Sequence, residues 1–296
     1  MKKKIVKYLS PLMALIATPA ALAVPLPLHS IEGYGGILLT GSAFLANPAK
    51  DGGMFGLPTV SLTSATLGYG RHLEAYTLTE TIGGRVELGF GQNRLDLGEF
   101  RADVKAATGA DINERTVTMN NFNVRALLLK EEGNVPAVTL GLHYKRNETI
   151  KDMDNRLGGA LTANGLKNDH GTDVTLYATR LFTTTPRPLL VNVGLRSTKA
   201  AQIGLIGFTD KRKTMFEGNF GYMILNNLVI GGEYRQKPHE YTPIARLIEK
   251  EGSWGSAFMT YIANDHMTAS VAYMRLGDVL NHAADNAYGF KFKYEF

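Results

Sequence analysis

The chain has 296 residues, no cysteine and a formal net charge of +5 at pH 7. Absence of cysteine excludes a disulfide framework, thiolate metal sites and acylation at an N-terminal cysteine. Four of the positive charges belong to lysines within residues 1–23, which contain no acid, so the rest of the chain carries +1. A nearly neutral remainder excludes the broad basic surface that binding to nucleic acid requires.

Residues 1–23 have the pattern of a signal peptide. Lysines at positions 2, 3, 4 and 7 precede an apolar stretch over 8–20, and Ala21-Leu22-Ala23 is a small–any–small cleavage site. Pro11 and Pro19 interrupt the apolar stretch, which is too short to cross a hydrocarbon core about 30 Å thick. We therefore expect cleavage after Ala23 and export of the remaining chain.

Residues 24–58 do not alternate between apolar and polar positions. They contain the glycine-rich run GYGG at 33–36 and two apolar runs, ILL at 37–39 and AFL at 43–45. Two placements are open for this segment: a loose periplasmic lead, or a plug that enters the domain that follows. Because apolar side chains are unfavourable in water, we favour packing within or beneath that domain.

From residue 59 onward, segments of about ten residues alternate with period two, as β-strands between two different environments do. Twelve strands are predicted, at 59–68, 72–80, 84–92, 119–130, 135–146, 172–182, 188–197, 213–224, 227–237, 253–262, 266–276 and 287–296. The segments 72–80, 172–182 and 254–262 alternate poorly, so their faces stay unassigned. A short helix is predicted over 100–107, ended by Gly109.

Three observations predict how these strands assemble. Ten residues suffice for a tilted strand to cross a membrane, and no apolar run of the remaining chain approaches the 18 residues of a membrane helix. Apart from the first connection, long and short connections alternate, as they do in barrels with long extracellular loops and short periplasmic turns. We therefore expect an all-β, transmembrane antiparallel β-barrel of about 12 strands over 59–296, located in a Gram-negative outer membrane and surrounded by its lipids.

The last strand has one wholly aromatic face. Every second position is aromatic and the last of them is a C-terminal phenylalanine: Tyr288, Phe290, Phe292, Tyr294 and Phe296. The positions between them are glycine, lysine or glutamate. This pattern predicts a lipid-facing strand that serves as the assembly signal for the barrel assembly machinery.

If the apolar positions face lipid, the opposite positions line the lumen. These candidates are Arg85, Glu87, Arg125, His143, Lys145, Arg196, Glu217, Glu233, Arg235, Lys237, Lys291, Lys293 and Glu295. Basic residues outnumber acidic ones, which is typical of a narrow, mildly anion-favouring channel. The alternative is that the charges pair across the interior and fill it. Because buried charges need excellent pairing to offset their desolvation, we favour a water-filled lumen.

Catalytic motifs are absent from the sequence. None of the seven histidines is followed two residues later by serine, and no G-x-S-x-G elbow is present. Asp152, Asp154 and Asn155 resemble the opening of a calcium loop, but Arg156 and a missing glycine break its spacing. We expect no enzymatic activity, cofactor, metal or nucleic-acid partner; a barrel-type lipid-modifying enzyme is the third alternative.

Six stretches resemble an uncharacterised outer-membrane family, domain-of-unknown-function family 3034. They are IEGYGG at 31–36, FNVRALL at 122–128, DNRLGGAL at 154–161, GLRSTKAAQ at 194–202, EYRQKP at 233–238 and KYEF at 293–296. The resemblance spans nearly all of the chain after the signal peptide and implies an outer-membrane location. It implies no substrate, catalytic residue or partner.

Two functions follow from the lumen. The first is a channel, or porin-like uptake barrel, for small polar or anionic solutes. The second is an occluded structural or binding barrel without transport activity, closed by residues 24–58.

Overall fold

Twelve antiparallel strands form a closed barrel. The computed structural model describes residues 28–49, 52–241, 243 and 247–296, so the predicted signal peptide lies outside the described residues. Each strand pairs with its neighbours along the chain, and the last pairs with the first. The strands are β1 (Thr59–Gly68), β2 (Arg71–Ile82), β3 (Val86–Asp96), β4 (Thr116–Leu129), β5 (Ala137–Asn147), β6 (His170–Phe182), β7 (Leu189–Ala200), β8 (Phe208–Leu225), β9 (Leu228–Arg235), β10 (Trp254–Ile262), β11 (Met267–Arg275) and β12 (Ala287–Glu295). The predicted 12-stranded antiparallel barrel is confirmed.

Within the described residues, the loops at one end of the barrel carry three short α-helices and a 3-10 turn at Gln202–Gly204. Helix α1 (Phe100–Thr108) follows β3, while α2 (Ile150–Arg156) and α3 (Ala160–Ala163) follow β5. Gly109 ends α1 with a φ of 75°, a conformation that glycine adopts without strain, so the predicted helix is confirmed. In the described part of the chain, no helix has both the length and the apolar character of a membrane span.

The barrel wall presents apolar side chains outward and mostly polar ones inward. Exposed residues such as Leu62, Phe122 and Phe220 alternate with buried polar ones along the strands. In the three strands whose faces the sequence left open, several inward residues are themselves apolar: Leu73 and Ala75 on β2, Tyr177 on β6, and Trp254 and Phe258 on β10. Because both faces of these strands carry apolar residues, their periodicity is weak.

The predicted start of strand β3, and with it the predicted position of Arg85, was wrong. Strand β3 begins at Val86, and Arg85 lies exposed in the turn before it, donating a hydrogen bond to the carbonyl of Leu127 at 3.2 Å. The predicted strand began at residue 84, which placed Arg85 on the inner face. Arg85 does not belong to the lumen.

Residues 28–46, hereafter the inner segment, lie inside the barrel. Leu28–His29 pairs with Gly35–Gly36 in a tight hairpin, and nearly every side chain from residue 28 to residue 43 is buried. Of the two placements that the sequence left open for 24–58, the structure has residues 28–46 in the lumen, whereas Met54, Phe55 and Leu57 are exposed. Residues 24–27 lie outside the described residues.

The lumen has an apolar layer on the side of the long loops. Its wall residues include Leu67, Leu73, Leu95 and Leu276, which pack with the inner segment and with loop residues of the β7–β8 connection. That connection, residues 201–207, is buried along its whole length. It therefore folds into the mouth of the barrel instead of extending into solvent.

Candidate functional site

The charged residues that the strand pattern assigned to the lumen lie inside the barrel, with one exception. All of the proposed residues except Arg85 are buried within the barrel: Glu87, Arg125, His143, Lys145, Arg196, Glu217, Glu233, Arg235, Lys237, Lys291, Lys293 and Glu295. None of these residues is more than 9% exposed. They bind one another, the inner segment and the inward-folded loop, which is the second of the two arrangements considered from the sequence.

Glu32 of the inner segment is the centre of this site. Its Oε2 lies 2.8 Å from Nη2 of Arg235 and 3.0 Å from Nη2 of Arg196, while its Oε1 contacts Nζ of Lys145. The hydroxyl of Tyr34 donates a hydrogen bond to Oε2 at 2.8 Å. One fully buried carboxylate thus joins three cations from strands β5, β7 and β9.

Two acids of the barrel wall complete the charge balance of the cluster. Arg196 lies 2.9 Å from Asp173 and 2.6 Å from Glu217. Asp173 is also 2.8 Å from Lys145, and Glu217 is 2.9 Å from Arg235. The three acids and three bases form one network, the Glu32 cluster, in which each charge faces at least two of opposite sign. Buried charges are tolerated when they are paired in this way.

A second ion pair holds the other side of the inner segment. Arg125 lies 2.9 Å from Glu87, and both side chains are buried. Glu87 accepts backbone N–H bonds from Gly35 at 3.0 Å and Ala46 at 2.6 Å, while Arg125 donates to the carbonyl of Gly35 at 3.0 Å. The guanidinium also lies 5.2 Å from the ring centre of Tyr34, within range of a cation–π contact.

Glu233 binds the turn of the inner segment. Its Oε1 accepts the backbone N–H groups of Leu38, Leu39 and Thr40 at 3.1, 2.9 and 2.9 Å, together with the Thr40 hydroxyl at 2.8 Å. Lys291 donates to the carbonyl of Ile37 on the same turn. Hydrogen bonds to a charged acceptor are stronger than neutral ones, so this turn is firmly attached to β9 and β12.

Amide side chains of the wall donate hydrogen bonds to further backbone carbonyls of the inner segment. Asn123 donates to the carbonyls of Glu32 and Gly33 at 2.7 and 3.0 Å, and Asn192 and Asn219 each donate to the carbonyl of Gly41 at 2.9 Å. A non-regular segment inside a membrane barrel needs such partners, because unpaired backbone groups there are costly. The wall is therefore chemically matched to this particular segment.

Glycines let the inner segment approach the wall closely. A Cβ atom added to Gly89 on β3 would lie 2.0 Å from the carbonyl oxygen of Gly33, and one added to Gly91 would lie 2.6 Å from that of Glu32. Gly33 has a φ of +85°, which side chains with a Cβ disfavour. These glycines of the GYGG run and of β3 are contact points between segment and wall.

The inward-folded loop 201–207 closes the mouth above the Glu32 cluster. Lys145 donates to the carbonyl of Ile203 at 3.2 Å, and Asn147 donates to that of Leu205 at 2.8 Å. The Gln202 side chain accepts a hydrogen bond from Lys237 at 2.8 Å, and Lys237 lies 3.5 Å from Glu251. Burial raises the pKa of Glu251 and lowers the pKa of Lys237 to about 8.

Two small cavities lie inside the barrel. A cavity of about 20 Å³ lies in the apolar layer, lined by Ile31, Leu38, Leu205 and Trp254 among others, and one of about 10 Å³ lies beside Lys291. A volume of about 10–15 Å³ accommodates a single water molecule. Neither of these two cavities is therefore large enough for a solute beyond a water molecule or two.

The sequence pattern missed several members of the site. Glu32 and Tyr34 lie in a segment without periodicity, and Asp173 and Tyr177 lie on β6, whose face was unassigned. A single acid within the glycine-rich, apolar stretch 31–39 was the available signal for Glu32, since an unpaired carboxylate is unfavourable among apolar residues.

Two other predicted features have simple locations. The aromatic face of β12 points outward: Tyr288, Phe290, Phe292 and Phe296 are exposed and Tyr294 is half-buried.

Asp154, which the sequence placed at the opening of a calcium-like loop, lies in α2. It accepts backbone N–H bonds from Leu161 and Thr162 at 2.7 and 3.2 Å, so it caps α3. Among the residues described, no group of three or more His, Asp or Glu side chains is arranged to hold a metal ion.

Comparisons with known proteins give one family and several barrels. The family model described as "Protein of unknown function (DUF3034)" matches residues 27–292, and no curated protein matches. The chain is similar to the KdgM porin, with 9% identity, 80% of this chain and 99% of that chain covered, and a TM-score of 0.48. It is similar to the NanC porin, with 10% identity, 81% of this chain and 98% of that chain covered, and a TM-score of 0.48. It is also similar to the outer membrane protein Omp33 of Acinetobacter baumannii, with 7% identity, 82% of this chain and 100% of that chain covered, and a TM-score of 0.44.

Proposed function

This chain belongs to the family described as Protein of unknown function (DUF3034), and we propose that it is an outer-membrane barrel kept closed by its own inner segment. In this proposal the barrel acts as an occluded structural or binding protein, and its long loops make the contacts with partners. The expectation that it has no enzymatic activity belongs to the same proposal.

The Glu32 cluster is the observation that carries the proposal. A passive channel needs a continuous polar path for its solute, whereas Glu32 occupies the middle of the lumen and binds Lys145, Arg196 and Arg235. Removing one partner from a buried ion pair costs about 3–5 kcal/mol. Withdrawing the inner segment would break the contacts of Glu32, Glu87 and Glu233 together. Spontaneous opening is therefore expected to be rare.

A gated channel is the second candidate, favoured by the charge of the barrel wall. Around the inner segment the wall contributes the bases Arg125, Lys145, Arg196, Arg235, Lys291 and Lys293 and the acids Glu87, Asp173, Glu217, Glu233 and Glu295. Glu32 supplies the sixth acid. If a cellular partner withdrew the inner segment, the wall would retain an excess of positive charge, which suits small polar or anionic solutes.

Export and assembly complete the proposal. The signal-peptide pattern of residues 1–23 supports export across the inner membrane. The outward aromatic residues of β12 support recognition of this strand by the barrel assembly machinery, and the apolar outer wall supports a location among outer-membrane lipids.

Conductance of the refolded full chain tests the proposal. In planar bilayers the intact protein is expected to give no channel steps, and liposomes containing it are expected to show no solute flux. Glu32→Lys places a like charge among three cations and is expected to displace the inner segment. Glu74→Lys, on the outer wall beside Arg94, is the matched control and is expected to stay silent.

The outcomes separate the two candidates. Anion-selective steps from Glu32→Lys alone would favour the gated channel, whereas silence of all three proteins, each shown to be folded by its heat-modifiable gel mobility, would favour the permanently closed barrel. Regular steps from the intact protein would overturn the proposal.

A further inference from the structure

The outer wall of the barrel carries an apolar groove that is separate from the lumen. Its volume is about 600 Å³, and it crosses strands β2 to β6 on the lipid-facing side. Its principal lining side chains are Leu78, Leu88, Phe90, Phe122, Leu142 and Tyr144. Five of these six side chains are among the exposed large apolar residues of the barrel, so the groove is open to whatever surrounds the wall.

The pairing register shows the direction of the groove. Leu78 pairs with Phe90, Phe90 with Phe122, Phe122 with Tyr144, and Tyr144 with Thr172. Leu78 is near the end of β2 at the short-turn side, whereas Thr172 is near the start of β6 at the long-loop side. The groove therefore runs obliquely through the height of the barrel and ends at the long-loop rim.

A row of basic side chains lies where the groove ends. Arg146 pairs across the sheet with His170, and Arg212 donates to the carbonyls of Thr172 and Ser197 at 2.8 and 2.9 Å. Lys199 is the next residue on the outward face of β7 after Ser197. Register and hydrogen bonds thus place Arg146, His170, Lys199 and Arg212 side by side across four adjacent strands.

Acidic residues balance only part of this row. Glu148 lies 3.4 Å from Arg146, and Asp169 lies 2.7 Å from His170 and 3.1 Å from Lys151. Asp210, two residues before Arg212 in the sequence, is exposed. Counting the side chains named here, with His170 neutral, the bases Arg146, Lys151, Lys199 and Arg212 exceed the acids Glu148, Asp169 and Asp210 by one. The guanidinium of Arg212 is positioned by two backbone carbonyls instead of a carboxylate.

We propose that this groove and rim form a binding site for an anionic lipid of the outer leaflet, whose acyl chain lies in the groove and whose phosphate-bearing headgroup contacts Arg146 and Arg212. Apolar lining suits the chain, and arginines at the membrane surface attract anionic headgroups. The ring of Tyr144, 6.4 Å from that of Phe122, is three residues from the long-loop end of β5, and tyrosine is typical of the membrane interface. The site does not depend on whether the lumen is open or closed.

Native mass spectrometry of the detergent-released full chain tests the site. The probes are a diphosphorylated glycolipid, its phosphate-free counterpart, phosphatidylcholine and inorganic phosphate. One diphosphorylated glycolipid per barrel is expected to bind, at least about tenfold more tightly than the phosphate-free form. Inorganic phosphate alone is expected to bind too weakly to be retained, because it lacks the chain.

Paired variants separate the headgroup from the chain. Arg146→Gln with Arg212→Gln is expected to weaken binding of the phosphorylated glycolipid about tenfold and to leave the phosphate-free form unchanged. Leu142→Trp, which fills the groove, is expected to weaken both lipids. Arg275→Gln removes an exposed arginine from β11 and is the matched control, expected to bind as the parent does. Equal binding of the two glycolipids, an unchanged affinity of the double variant, or a dimer of this chain occupying the groove would overturn the proposal.

Discussion

Glu32→Gln is the sharpest perturbation of the closed barrel. The amide has nearly the shape of the carboxylate but no charge, so Lys145, Arg196 and Arg235 lose the acid that all three share. Asp173 and Glu217 still neutralise two of the three cations, so we expect the lower part of the range for a broken buried pair, about 3 kcal/mol. Since total stabilities are about 5–15 kcal/mol, this loss is large.

Denaturant unfolding in detergent micelles, followed by heat-modifiable gel mobility, measures the loss. The matched control is Glu74→Gln on the outer wall, where Arg94 is 3.9 Å away and the two side chains are 47% and 39% exposed; its cost is expected to stay below about 1 kcal/mol. Combining Glu32→Gln with Lys145→Met restores the charge balance, so the double variant is expected to lose less than the sum of the two single losses. If Glu32→Gln were no less stable than the control, the Glu32 cluster would not exist as described.

Three further predictions concern the inner segment and the mouth. Gly89→Ala is expected to destabilise the barrel, because the added Cβ would lie 2.0 Å from the carbonyl oxygen of Gly33. In the control Gly255→Ala, the added Cβ would meet only the carbonyl oxygen of Glu233 at 3.7 Å, so this variant is expected to be tolerated. Equal unfolding midpoints for the two variants would contradict this prediction. In a chain without native cysteine, Ala43→Cys is expected to resist thiol reagents until unfolding, while Asn226→Cys in the β8–β9 turn reacts at once; rapid labelling of both would place the segment outside the lumen. The single tryptophan, Trp254, is 3% exposed, so its fluorescence is expected to resist aqueous quenchers and to shift to the red on unfolding.

The strands of the barrel were predictable because their alternation has a single physical cause. A wall that faces lipid requires apolar outward positions, and most inward positions are polar. The prediction was weakest where that cause fails. Inward Leu73 and Tyr177 face the apolar layer and the inner segment instead of water, and Arg85 was misplaced because strand boundaries depend on turn geometry that periodicity does not contain.

The partners of the lumen charges were not predictable from the strands alone. Glu32 lies more than a hundred residues from Lys145, Arg196 and Arg235, and a segment without regular structure has no period that indicates which of its residues face the wall. We expected a water-filled lumen because burying unpaired charges is unfavourable. The inner segment removes this objection, since its carboxylate and its backbone groups pair with the charges of the wall. Nor does the pattern indicate that residues 201–207 turn inward.

Hydrogen–deuterium exchange at the amides of Leu38, Leu39 and Thr40 tests the central claim most directly, because all three N–H groups donate to the buried carboxylate of Glu233. If the inner segment closes the barrel, these amides are expected to exchange as slowly as those of the surrounding strands. Exchange at the rate of an exposed loop would show that the inner segment leaves the lumen freely, which would contradict the proposal that this segment blocks the lumen.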